Sequence, residues 1–66
     1  MPRNTREWAK RKLKEAEGNL DWALFHLNEV EEKYREYHPD ISDSCLSIMQ
    51  LANLATEALQ VLGASF

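Results

Sequence analysis

Apolar side chains return every three or four positions along both halves of this 66-residue chain. In the first half, Leu13, Leu20, Leu27 and Tyr34 form one row, and Ala9, Ala16, Ala23, Val30 and Tyr37 form a second. Their alternating steps of four and three are those of a helix that turns one seam toward a neighbour. In the second half, Ile41, Cys45, Ile48, Ala52, Ala55, Leu59 and Leu62 repeat the pattern. Leu51, Leu54, Ala58 and Val61 run beside them as another stripe. Two adjoining stripes predict a face broader than one neighbouring helix covers. No segment shows the period of two that marks a half-buried strand.

The breaks in the pattern set the element boundaries. Asn4 followed by Glu7 has the spacing of a capping box, with Thr5 as the alternative cap. From there nothing stops a helix over about 5–37 until the sequence HPDIS at 38–42. A residue before proline is pushed out of the α region, and Pro39 and Asp40 suit the first turn of a new helix. A corner at 38–41, with His38 helping to cap, and a second helix over about 40–62 follow, with Gly63 placed as the residue that ends it. The expected fold is all-α: one domain over 1–66, an antiparallel helical hairpin with a long first helix and a shorter second. At 1.5 Å per residue the helices measure roughly 50 Å and roughly 33 Å. The second is therefore expected to return only to the level of Ala16, leaving Trp8 without cover.

The stretch LDWALFHL at 20–27 departs from the one-sided pattern. Leu20, Ala23 and Leu27 belong to the seam, while Trp22, Leu24 and Phe25 are left over, near the midpoint of the helix. Together with Leu51, Leu54, Ala58 and Val61 they form the expected oligomer interface. Sixty-six residues bury too little to be comfortably stable alone. The single cysteine, Cys45, cannot close an intrachain disulfide, so a partner chain is the expected source of stability. A homodimer forming a four-helix bundle is the simplest solution.

Charge sharpens this expectation. The net charge is −3. Arg3, Arg6, Lys10, Arg11, Lys12 and Lys14 crowd the start, Glu29, Glu31, Glu32, Glu36 and Asp40 the middle, and the tail is nearly uncharged. The gradient opposes the macrodipole of the first helix, which favours acids at its start and bases at its end. Two copies of that helix packed antiparallel would set each basic head beside an acidic end and bring Trp22 and Phe25 to the two-fold axis. A competing use is a nucleic-acid contact through Arg6, Lys10 and Lys14, which share a stripe at four-residue spacing. A third is an inhibitor or antitoxin-like chain that sets the apolar face of the second helix against another protein.

Candidate chemistry is sparse. No Glu-x-x-His occurs, and one cysteine with two separated histidines makes no zinc pattern, so no metal or cofactor is expected. Cys45 lies on the apolar seam, where a thiol behaves as a small hydrophobe, and His26 reads as a flank residue. Gly18 and Gly63 stand alone and form no phosphate loop; Gly18, one turn before Trp22, either makes room for a neighbour or is a tolerated surface glycine. No catalytic residues are assigned and no enzyme is expected. No uninterrupted apolar run reaches the length of a membrane span and no signal-peptide pattern follows the basic start, so a cytoplasmic protein without membrane contact is expected. The segment REWAKRKLKEAEGNLDWAL is loosely similar to the first helix of HEPN-type helical domains. That similarity covers under a third of the chain and omits the Arg-x(4–6)-His pattern of their nucleases, so it implies no nuclease activity. The expected role is a non-enzymatic interaction or assembly module.

Overall fold

The computed structural model describes residues 5–66. It contains α1 (Thr5–Tyr34) and α2 (Pro39–Gly63), which pack antiparallel as a hairpin measuring 54 × 16 × 14 Å. The capping-box residue Asn4 and the basic residue Arg3 lie outside the described residues.

The corner differs in detail from the sequence expectation. α1 stops at Tyr34, and residues 35–37 form the turn that was expected to continue the helix. Helix propensity gives no warning of this, because reversing the chain consumes whatever residues precede the proline. His38 occupies the cap position of α2 at φ −141° and ψ 79°, as a residue before proline must. Its side chain makes no capping hydrogen bond. The capping is done by backbone instead. The His38 N–H donates to the Tyr34 carbonyl at 2.8 Å, and the His38 carbonyl accepts from Ile41 N at 3.0 Å and Ser42 N at 3.1 Å.

At the other end Gly63 is the last residue of α2, not the left-handed residue after it, and no glycine among the described residues has a positive φ. Ala64 closes the helix in right-handed geometry, its N–H donating to the Gln60 carbonyl at 3.1 Å. Gly63 lies on the seam. A Cβ there would lie 4.0 Å from Cδ1 of Leu13, so α2 returns past Ala16 to the level of Leu13.

The seam itself is rotated from the expected one. On α2 the positions turned toward α1 are Ser42, Cys45, Met49, Ala52, Thr56, Leu59 and Gly63, all buried or half-buried. Cys45, Ala52 and Leu59 were expected there; Ile41, Ile48, Ala55 and Leu62 were too, but they are exposed. On α1, Ala9, Leu13, Ala16, Leu20, Ala23 and Leu27 hold the seam as expected, joined by Leu24 and Glu31, while Val30, Tyr34 and Tyr37 are exposed. Both seams keep the 3-4 step of antiparallel helix packing. Besides Met49 and Leu59, the α2 seam is made of small or mildly polar side chains, and many of the larger apolar ones face outward. Among the described residues only Glu31, Ser42 and Cys45 are buried, and Cys45 is the one hydrophobic residue of the three.

Candidate interaction surfaces

The buried polar cluster lies where α1 ends and α2 begins. Glu31 sits on the seam at 2% exposure. Its Oε1 accepts from Arg35 Nε at 2.8 Å and from Ser42 Oγ at 2.9 Å, and its Oε2 accepts from Arg35 Nη2. The two-pronged Arg35 bond first, and the Ser42 hydroxyl second, hold the Glu31 carboxyl below its usual range. The carboxylate in turn raises Arg35. Burial opposes ionisation of Glu31, but the hydrogen bonds outweigh it. This residue escaped the sequence reading, which treated it as one acid among several. A signal existed: Glu17, Leu24 and Glu31 form a row at heptad spacing beside the seam, and Glu31 and Arg35 are an i,i+4 pair. Both Glu31 oxygens are engaged, so the cluster clasps the corner.

No group of three His, Cys, Asp or Glu side chains that could hold a metal occurs among the described residues. His26 lies 3.7 Å from Glu29 on the surface and stacks on Trp22 at 5.8 Å between ring centroids. The Cys45 thiol is enclosed in the seam.

What the molecule presents instead are surfaces. In an antiparallel pair, side chains displaced to the same rotational side of each seam share one broad side of the hairpin. One broad side carries Ile41, Ile48, Ala55 and Leu62 of α2 next to Ala23 and Val30 of α1, interrupted by Ser44, Lys12, Asn19 and His26, and Leu51 and Ala58 turn from it toward the outside of α2. Leu51 is 66% exposed, and Ile48, Leu62 and Tyr37 also lie open. Leu54 and Val61 extend this apolar face around the outside of α2, where Val61 is 72% exposed. The opposite broad side carries Lys10, Asp21, Asn28, Glu32, Asn53, Glu57 and Gln60, with Leu46 as its apolar exception. All four α2 residues expected in an interface, Leu51, Leu54, Ala58 and Val61, are thus exposed.

The α1 residues of the girdle divide. Leu24 is half-buried at the edge of the seam, whereas Trp22 and Phe25 are 64% and 55% exposed on the side of α1 turned away from α2. Their rings meet edge to face at 5.8 Å beside a shallow depression of about 380 Å³ lined by Gly18, Asp21, Trp22 and Phe25. The structure therefore separates what the sequence grouped: Trp22 and Phe25 do not share a side with Leu51 and Ala58.

The basic stripe is also placed. Arg6, Lys10 and Lys14 are exposed, and Lys10 and Lys14 border a depression of about 270 Å³ with Leu13, Glu17, Leu59, Gln60 and Gly63. Two of the three bases thus lie beside the C-terminal turn of α2, which has no basic residue of its own. By length and composition α2 is long and apolar enough to cross a membrane, a property that counting uninterrupted apolar runs misses because polar residues are interleaved with the apolar ones. Comparison with protein-family models, with curated proteins and with solved structures finds no match for this chain.

Proposed function

We propose that the chain is a non-enzymatic assembly module whose working unit is a homodimer, two hairpins laid broad side to broad side as a four-helix bundle. The observation that carries this reading is the surface the hairpin leaves open. The chain exposes 5439 Å², against about 4,300 Å² for a compact monomer of this mass. The surplus of roughly 1,100 Å² per chain resembles the roughly 800 Å² that each partner buries in a standard protein–protein contact. The radius of gyration, 15.7 Å, likewise exceeds the roughly 11 Å of a compact chain of this length. A second copy supplies the same apolar side in a self-complementary contact. It would cover Ile48 and Leu62 and reach Leu51 and Ala58 at the edge of that side, all of them exposed. The apolar pattern of α2 is one-sided, with Asp43, Gln50, Asn53, Glu57 and Gln60 on the other flank. That amphipathic division suits cover by protein better than hydrocarbon all round.

The nucleic-acid reading draws less support, because the net charge is −3 and Lys10 and Lys14 share their depression with Glu17. Sedimentation across micromolar concentrations tests the main reading. The expected result is a multiple of the chain mass, lost with the helical signal when Leu51→Asp and Ala58→Asp are combined. The polar-side control Asn53→Asp should leave both unchanged. A wild-type chain that remains a helical monomer throughout overturns the proposal, and salt-sensitive retention of an oligonucleotide by such a monomer would favour the basic stripe.

A further inference from the structure

We infer that the outer face of α1 is a second, separate self-association surface, on which two copies of α1 pair antiparallel about Trp22 and Phe25 so that dimers join into four-chain assemblies. The four-chain state rests on the broad-side dimer proposed above; the α1 contact does not. Trp22 and Phe25 form an exposed aromatic pair on the side of α1 away from α2, so neither the hairpin nor a broad-side dimer covers them. Gly18 adds an indentation next to them: nothing lies within 4 Å of where its Cβ would stand. The depression beside the rings leaves room for the facing pair.

Charge chooses the occupant. With a two-fold axis crossing α1 between Ala23 and Leu24, Trp22 of one copy stands opposite Phe25 of the other. In the same register Arg11, near the middle of the outer face, falls at the level of Glu36, which lies in the turn just past the end of α1. Lys14 and Glu32 are separated by about five full helical turns and so lie on one flank of that face; the register sets them side by side. Glu15 and Lys33 have the same separation on the other flank and meet in the same way. One register thus places three kinds of opposite-charge pair around a central aromatic cluster, each occurring twice by symmetry. Within one chain these residues have few partners: Asn28 donates to Glu32 at 3.3 Å, and Lys14 stands beside the C-terminal turn of α2. Among the described residues Arg11, Lys33 and Glu36 make no ion pair, and Glu15 is held only by an exposed Lys12 at 3.4 Å. The axis of this contact runs through the broad sides, whereas the axis of a broad-side dimer lies in the plane of that contact. With the broad-side axis running across the helices and meeting the α1 axis at the level of residues 23 and 24, the two perpendicular axes close into a dimer of dimers.

The test uses charge reversals at exposed positions, which leave the seam untouched. Arg11→Glu with Lys14→Glu makes one variant, and Glu32→Lys with Glu36→Lys makes another. Light scattering should find four chains in the wild type, two in either variant alone, and four again when the variants are mixed in equal amounts. Trp22→Ala with Phe25→Ala should also halve the mass. Unchanged mass in these variants, or no recovery on mixing, overturns the inference. A two-chain wild type separates the two proposals. If its mass is lost with Leu51→Asp and Ala58→Asp but kept with Trp22→Ala and Phe25→Ala, the broad-side dimer stands and the α1 contact fails. The opposite pattern supports the α1 contact and overturns the broad-side dimer, and a monomeric wild type overturns both.

Discussion

Glu31 is an acid at a position where the pattern of its helix asks for an apolar side chain. It is tolerated there because Arg35 meets it with two bonds from one turn away and Ser42 adds a third from the facing helix. The Ser42 bond is the one that reaches across the corner, so it helps fix where α2 starts relative to α1. Ser42→Ala removes a buried partner of a charged group and should destabilise the hairpin by about 1–3 kcal/mol in chemical denaturation. The pH dependence has a definite sign. Because the folded-state pKa of Glu31 is depressed, its contribution is present above the ordinary carboxylate range and is lost as pH falls through the lowered value. Stability should therefore decline on acidification below about pH 4. Glu31→Gln should be less stable than wild type near neutrality and should lose less on acidification; equal slopes for the two proteins would remove Glu31 from the account.

At the scale of the element, the charge gradient of α1 opposes its own dipole but suits its neighbour. The basic head lies beside the C-terminal turn of α2, where Lys10 and Lys14 stand near Gln60 and Gly63. The acidic end lies beside the N-terminus of α2, where Glu31 reaches Ser42. Antiparallel packing thus pairs each end of α1 with the helix end of opposite partial charge. Lys10→Glu should cost about 0.3–1 kcal/mol, a loss that shrinks in high salt. Gly63 tests a different feature of α2. A methyl group there meets only ordinary contact with Leu13, and its φ is not positive. Gly63→Ala should therefore raise stability by up to about 1 kcal/mol through helix propensity, read as a higher thermal midpoint.

At the scale of the whole molecule, the hairpin is long, thin and poorly enclosed, with one hydrophobic residue buried among those described. On the broad-side reading proposed above, the hairpin gains stability from the copy that covers its apolar side. Its unfolding midpoint should therefore rise with protein concentration, as mass action requires when folded chains associate and unfolded ones do not. A midpoint constant over a hundredfold dilution would show that the hairpin is stable alone. Salt adds a second handle at this scale. The α1 contact, built on charge pairs, should weaken as ionic strength rises, while an apolar broad-side contact should not.

The all-α class, the two helices, the corner at Pro39 and the one-sided apolar pattern of α2 were legible in the sequence, because periodicity and proline act locally. So was the excess of apolar surface, since residue counts alone show more of it than one seam can use. Which stripe of α2 faces α1 was not legible. Ser42, Met49, Thr56 and Gly63 take the seam from Ile41, Ile48, Ala55 and Leu62. A one-step rotation of a helix changes its neighbours without changing its period, so hydrophobicity alone does not select it. The end of α1 at Tyr34 and the burial of Glu31 depend on the same choice, because both are set by how the chain reverses and what then lies across from each side chain. Only the tertiary structure decided these points. It also divided the expected single interface, leaving Leu51 and Ala58 exposed on α2 and Trp22 and Phe25 on the back of α1, because position around a helix has meaning only once its neighbour is in place.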